Sequence, residues 1–121
     1  MPIRDSIDRI FSQLAAGNLV EPINLVQDGW EVDLPSGRKV ARSALQTQAR
    51  ALITLGPDAV PHLLHWVLND NLALRYVAIY ALEQITREKP YLPYFDQADH
   101  EEDRDRAIEV WRGWHEAWEQ R

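Results

Sequence analysis

Cysteine is absent from this chain, which excludes a disulfide framework, a thiolate metal site and a thiol nucleophile together. A surplus of positive charge is also missing: 13 Lys and Arg stand against 19 Asp and Glu, for a net charge of −6. Attraction to a nucleic-acid backbone depends on Lys and Arg that neutralise phosphates, so nucleic acid is not the expected ligand, and a neutral or basic protein is accommodated more easily. No apolar run approaches the length of a membrane span. The opening Met1-Pro2-Ile3-Arg4-Asp5 leads into a charged amphipathic pattern where a secretory signal needs an unbroken apolar core, so a cytoplasmic location without membrane contact is expected. Signatures of catalysis are lacking as well: there is no nucleophile elbow, no phosphate-binding glycine loop and no Ser/His/Asp arrangement. Ser6, Ser12, Ser36 and Ser43 have ordinary helix or turn roles. The expectation is a protein that is not an enzyme, with no catalytic residue, no cofactor and no metal.

What the chain does contain is helical periodicity. With 121 residues, 45% of them hydrophobic, it suits a single domain covering residues 1–121. Ile3, Ile7, Ile10, Phe11 and Leu14 form one stripe of a helix over about residues 3–16, closed by Gly17-Asn18. A shorter helical element is expected over about residues 20–27. Between residues 28 and 40 the period changes from helical to alternating. Asp28-Gly29 and Pro35-Ser36-Gly37 flank Trp30, Val32 and Leu34, which reads as an insertion shaped as a small hairpin, with Arg38-Lys39-Val40 returning and Trp30 as its anchor. An isolated hairpin is marginal unless its apolar face rests on something, here the helices.

From Ala41 to Leu55 the helical pattern resumes, with Ala44, Leu45, Ala49, Leu52 and Leu55 on one side. Gly56-Pro57-Asp58 forces a corner in which Gly56 is expected to turn left-handed and Asp58 to cap the following helix. That helix runs over about residues 58–69, tolerates Pro61 in its first turn, and directs Val60, Leu63, Leu64, Val67 and Leu68 inward. The next, over about residues 71–88, is apolar around much of its circumference, as an interior helix must be. Pro90 and Pro93 interrupt the segment holding Tyr91, Leu92, Tyr94 and Phe95, which is expected to lie extended on the body. A final helix over about residues 101–120 places Ala107, Val110, Trp111, Trp114 and Trp118 on one stripe, with Glu109, Arg112 and Glu116 opposite.

Two stretches repeat. Ala51-Leu52 with Leu55-Gly56 returns as Ala81-Leu82 with Ile85-Thr86, thirty positions on (81 minus 51). Gly17, Pro22 and Leu25 match Gly56, Pro61 and Leu64 thirty-nine positions on (56 minus 17), as a degraded copy would. A short helical unit cannot bury its own stripe, so repeated units stack. The run from Ala51 to Leu64, with Asn69-Asp70 and then Leu74-Arg75-Tyr76-Val77-Ala78-Ile79-Tyr80-Ala81-Leu82, resembles bacterial HEAT repeats, in particular the short subtype found in phycobilisome lyases. The resemblance covers about residues 42–87. It implies an all-α fold, a short right-handed α-solenoid of about five to six helices in HEAT-like pairs, with the hairpin near residues 28–40 inserted. It also implies that Asp70 and Arg75 pair structurally across the stack, and that the second helix of each pair lines a concave binding surface.

On that expectation the binding face comprises His62, His65, Trp66 and Asn69, spaced i, i+3, i+4 and i+7, together with Glu109, Arg112 and Glu116 of the last helix. Trp66 either anchors a partner or is covered by Trp30 or by the segment from Tyr91 to Phe95. His62 and His65 have no third ligand on their helix face, so they are read as solvated histidines. The Trp111, Trp114 and Trp118 spacing reads as core that seals the end of the array. His115 is expected to hydrogen-bond at the edge of that core. The acidic run Asp96, Asp99, Glu101, Glu102, Asp103 and Asp105 suits the positive end of the last helix. The resulting expectation is an adaptor or scaffold that binds a protein on its concave face. Two alternatives stand beside it: a lyase-like or chaperone subunit acting on a tetrapyrrole-bearing protein, and an acidic inhibitor or immunity-type protein that blocks a basic effector.

Overall fold

The structure, a computed structural model, describes residues 2–19, 31–89 and 101–120. Helices dominate these residues, and one small sheet is added to them. Helix α1 (Ile3–Ala15) buries Ile7, Phe11 and Leu14 and leaves Ile3 and Ile10 half-buried at the edges of the stripe. It ends at Gly17, whose φ of 85° only glycine adopts cheaply, and whose carbonyl accepts a 2.9 Å hydrogen bond from Arg38 Nη1. The expected helical element at residues 20–27, the Trp30 anchor and the extended segment at Tyr91 to Phe95 all lie outside the described residues.

The inserted hairpin is present. Strands β1 (Glu31–Asp33) and β2 (Lys39–Ala41) pair antiparallel with Val32 opposite Val40. The turn closes through a 2.8 Å bond from Gly37 N to the Leu34 carbonyl, with Pro35 and Ser36 at its centre and φ of 91° at Gly37. Two strands alone are marginal, and here the condition for stability is met, since Leu34 and Val40 are buried with β1 packed on helix α4 and β2 on helix α2.

Helix α2 (Arg42–Leu55) buries Ala44, Leu45, Ala49 and Leu52, with Leu55 half-buried at its end. It also buries Gln48, whose amide donates back to the Ala44 carbonyl at 3.2 Å. The corner that follows departs from the expected geometry. Gly56 has φ 78° and ψ −162°, an extended positive-φ conformation rather than the left-handed helical one. Asp58 makes no capping bond: Pro57–Ala59 forms a 3-10 turn whose amide at Ala59 bonds the Gly56 carbonyl at 3.0 Å, so the chain reaches helix α3 (Val60–Val67) already wound. A residue inside the turn cannot also stand at its N-cap.

Helix α3 buries Val60, Leu63, Leu64 and Val67, but Leu68 is 51% exposed and so does not belong to the core. At 100° per residue it sits roughly 90° from the middle of that stripe, and the helix has ended by Val67. Helix α4 (Leu72–Thr86) is buried on several flanks, as an interior helix is, and includes four buried groups not expected to be there: Arg75, Tyr76, Glu83 and Thr86. Its cap is Asn71, whose Oδ1 accepts from Leu74 N at 3.1 Å while its Nδ2 donates to the Asp33 carbonyl at 3.0 Å, fastening the hairpin to the start of the helix. Arg87, at φ 62°, ends it.

Helix α5 (Glu101–Glu119) is anchored by Ala107, Ile108 and fully buried Trp111, whose Nε1 donates to the Glu88 carbonyl at 3.2 Å. Val110, expected inside, is 38% exposed, because the stripe runs through Ile108 instead, while Trp114 and Trp118 are half-buried. The helices form one apolar cluster: α2 packs on α4, α3 packs on both α4 and α5, and α1 lies across α2 and α3.

Candidate functional site

The exposed side of the helical body carries a cleft between α3 and α5. Its floor is Val60, Pro61, Leu64, Leu68 and Ile108, and its rim is His65, Arg112, His115, Glu116 and Glu119, enclosing about 470 Å³. The apolar floor follows from the two helices themselves. Leu64 and Ile108 belong to inward stripes yet lie at their edges, and Leu68, just beyond the end of α3, is about half exposed. Arg112 is held on its own helix by Glu109, one turn away.

At the α1 end the cleft widens into a second recess of about 640 Å³, lined by Ile3, Asp58, Pro61, His62, His115, Trp118 and Glu119. Pro61, His115 and Glu119 line both recesses, so the two adjoin. His115 Nδ1 lies 2.9 Å from Glu119 Oε1 and its ring stacks on Trp118 with centroids 5.9 Å apart, which ties together three side chains of the α5 wall. His115, expected to hydrogen-bond at the edge of the core, thus faces the exposed Glu119 carboxylate. Among the described residues, neither Lys nor Arg lines this wider end.

The seven residues expected to bind a partner do not form one continuous face. His65, Arg112 and Glu116 share the α3–α5 cleft. Glu109 is exposed beside it, paired to Arg112. His62 lies at the wider end, and Trp66 turns toward α1, where its ring stacks on Phe11 at 4.1 Å and 9°. Trp66 therefore has one face covered by a helix that spacing did not nominate for that role, while its remaining edge borders a small recess of about 170 Å³ with Arg4, Asp8, His62 and His65. Asn69 serves the turn: its Oδ1 accepts from Asn71 N at 2.8 Å and its carbonyl accepts from Arg75 Nε at 3.0 Å.

Arg75 illustrates how the turn is held. Burial pulls its pKa below the ordinary arginine value and the neighbouring Arg104 charge adds to that, while Asp70 acts in the opposite direction. Asp70 acts on Arg75 as an opposite charge, and the hydrogen bond from Arg75 Nε goes to the backbone carbonyl of Asn69.

Leu64, Leu68 and Ile108 of the floor, and Asp58, Trp118 and Glu119 of the wider end, were not anticipated as site residues. The signal for Leu68 was present in its position at the margin of the α3 stripe. Asp58 and Glu119 are far apart in sequence and meet only through packing, so no spacing rule finds them. Among the described residues, no three His, Asp or Glu side chains converge as metal ligands, and no helix is long and apolar enough to cross a membrane. No protein-family model matches the chain, and neither a curated protein nor a solved structure matches it.

Proposed function

We propose that this protein is a non-enzymatic adaptor that binds another protein in the cleft between α3 and α5. The observation that carries the reading is the cleft itself: an apolar floor that includes a Leu68 left 51% exposed, bordered by charged side chains of α5 and by His65 of α3. A large apolar side chain beside further apolar surface in a groove is a common feature of docking sites, because covering it releases water at the same moment as it excludes other ligands. Two of the helix packings match a HEAT-like scaffold, while α3 also packs extensively on α4. In a stack of two helix pairs, first packs on first and second on second, and here α2 packs on α4 and α3 on α5. On this reading α2–α3 and α4–α5 are the two pairs of a short right-handed solenoid, with α1 closing one end.

Affinity capture from a native lysate tests the reading, with the intact chain and a Leu68→Glu, Arg112→Glu variant as parallel baits. A protein retained by the first and lost by the second is the expected result. Identical recoveries from both would refute the assignment of this cleft.

A further inference from the structure

Resting on the reading of the α3–α5 cleft as a protein-binding face, we infer that its occupant is a basic amphipathic helix. It seats apolar side chains on Leu64, Leu68 and Ile108 and a Lys or Arg against Trp118, between Asp58 and Glu119. Two features of the cleft lead to this occupant.

The first is shape. The two adjoining recesses run from Asp58 to Leu68 along one side of α3, a length of about 15 Å, or about three helical turns. A groove of that length with an apolar floor, bounded by a second helix, fits the i, i+3, i+4, i+7 side chains of a helix laid in it. A single small molecule would need polar groups converging on one point, whereas Asp58, Glu116 and Glu119 are spread along the groove beside its apolar floor.

The second is charge. Asp58, Glu116 and Glu119 line the cleft, and among the described residues the one Arg or Lys on its walls is Arg112, which is already paired to Glu109. The wider end thus joins two carboxylates to an indole and two histidines, with no Lys or Arg among the described residues that line it. A guanidinium or ammonium placed there gains from both carboxylates and from the π face of Trp118, and the attraction strengthens as the apolar contacts exclude water around it. A carboxylate in the same position meets like charge on both sides. The net charge of −6 acts in the same direction, drawing a basic partner toward the molecule before contact.

Two synthetic helices with the same leucine stripe, one carrying Lys and the other Glu on its polar face, test the inference on the intact isotope-labelled chain. The Lys helix is expected to shift the amide resonances of Leu64, Leu68, Ile108 and Trp118, with an affinity that falls as salt is added. Asp58→Asn with Glu119→Gln, or Trp118→Ala alone, is expected to weaken it about fivefold or more. Glu31→Gln with Asp33→Asn, which removes the same charge from the hairpin, is expected to leave it unchanged. Equal affinity for the two helices, or equal weakening by the hairpin variant, overturns the cation preference while the apolar seat survives. If neither helix perturbs Leu64, Leu68 or Ile108, both the inference and the reading beneath it fail.

Discussion

Gly56 bears a sharp local constraint. Its φ of 78° with ψ of −162° lies in a region that essentially only glycine occupies, and no atom lies within 4 Å of where a Cβ would stand. Backbone strain alone therefore sets the effect of substitution. Gly56→Ala is expected to lower stability by about 1–3 kcal/mol in urea unfolding, with an unchanged circular dichroism spectrum before the transition. Tyr76 supplies a pH-dependent counterpart. Burial first of all pushes its phenol above the ordinary value near 10, although the hydrogen bond from Gln46 Nε2 at 3.0 Å and the Arg42 charge pull the other way. The folded state holds this proton more tightly than the unfolded chain does. Its contribution is complete below about pH 10 and is lost as the pH rises from there through the folded-state value. Urea titrations between pH 8 and 12 should show wild type losing stability more steeply than Tyr76→Phe, and parallel profiles would contradict this account of Tyr76. Both residues show the limits of reading residues singly. That Gly56 needed a positive φ was legible from the Gly-Pro pair, but the value of ψ was set by the 3-10 turn that follows.

At the scale of elements, α3 separates packing from binding. Its Trp66 stacks on Phe11 of α1, and such a pair is worth about 0.5–1.5 kcal/mol beyond the area it buries. Leu68, just past its end, is 51% exposed. Trp66→Ala is therefore expected to cost about 2–3 kcal/mol, less than a fully buried Trp because the residue is half-buried. Leu68→Glu is expected to stay within about 0.5 kcal/mol of wild type in the same measurement while abolishing partner binding. If the two variants exchanged these effects, the division of α3 into a face packed on α1 and a face open to a partner would be wrong. Periodicity found the core face of this helix through Val60, Leu63, Leu64 and Val67. It did not find what covers Trp66, because α1 is remote in sequence and its crossing over α3 has no local signature. The same holds for α5, where the stripe was drawn through Val110 although Ile108 lies inside. Exchanging Val110 for Ile108 while Ala107 and Trp111 stay inside rotates the assumed face of the helix by roughly 30°.

At the scale of the whole molecule, one apolar cluster includes residues of all five helices and of the hairpin. Asn71 and Arg38 tie the hairpin to α4 and to the end of α1, and Trp111 ties α5 to the end of α4. A core shared so widely leaves no element with a separate interior. Unfolding in urea should be a single transition, with coincident midpoints by far-ultraviolet circular dichroism and by tryptophan fluorescence. Non-coincident midpoints would mean that α5, which carries Trp111, Trp114 and Trp118, detaches on its own.

The sequence by itself determined where α1 to α5 lie to within a few residues, that a hairpin interrupts them, and that α4 lies inside. These depend on local periodicity, on turn residues such as Pro35-Ser36-Gly37, and on an apolar circumference that water does not tolerate. Only the tertiary structure decided that Trp66 meets Phe11, that Asn71 serves a helix and a strand at once, and that Asp58, Trp118 and Glu119 border one recess. The physical reason is distance along the chain. Backbone preference and side-chain spacing act over a few residues, whereas a cleft is formed by surfaces brought together when separate stripes are buried in a common core.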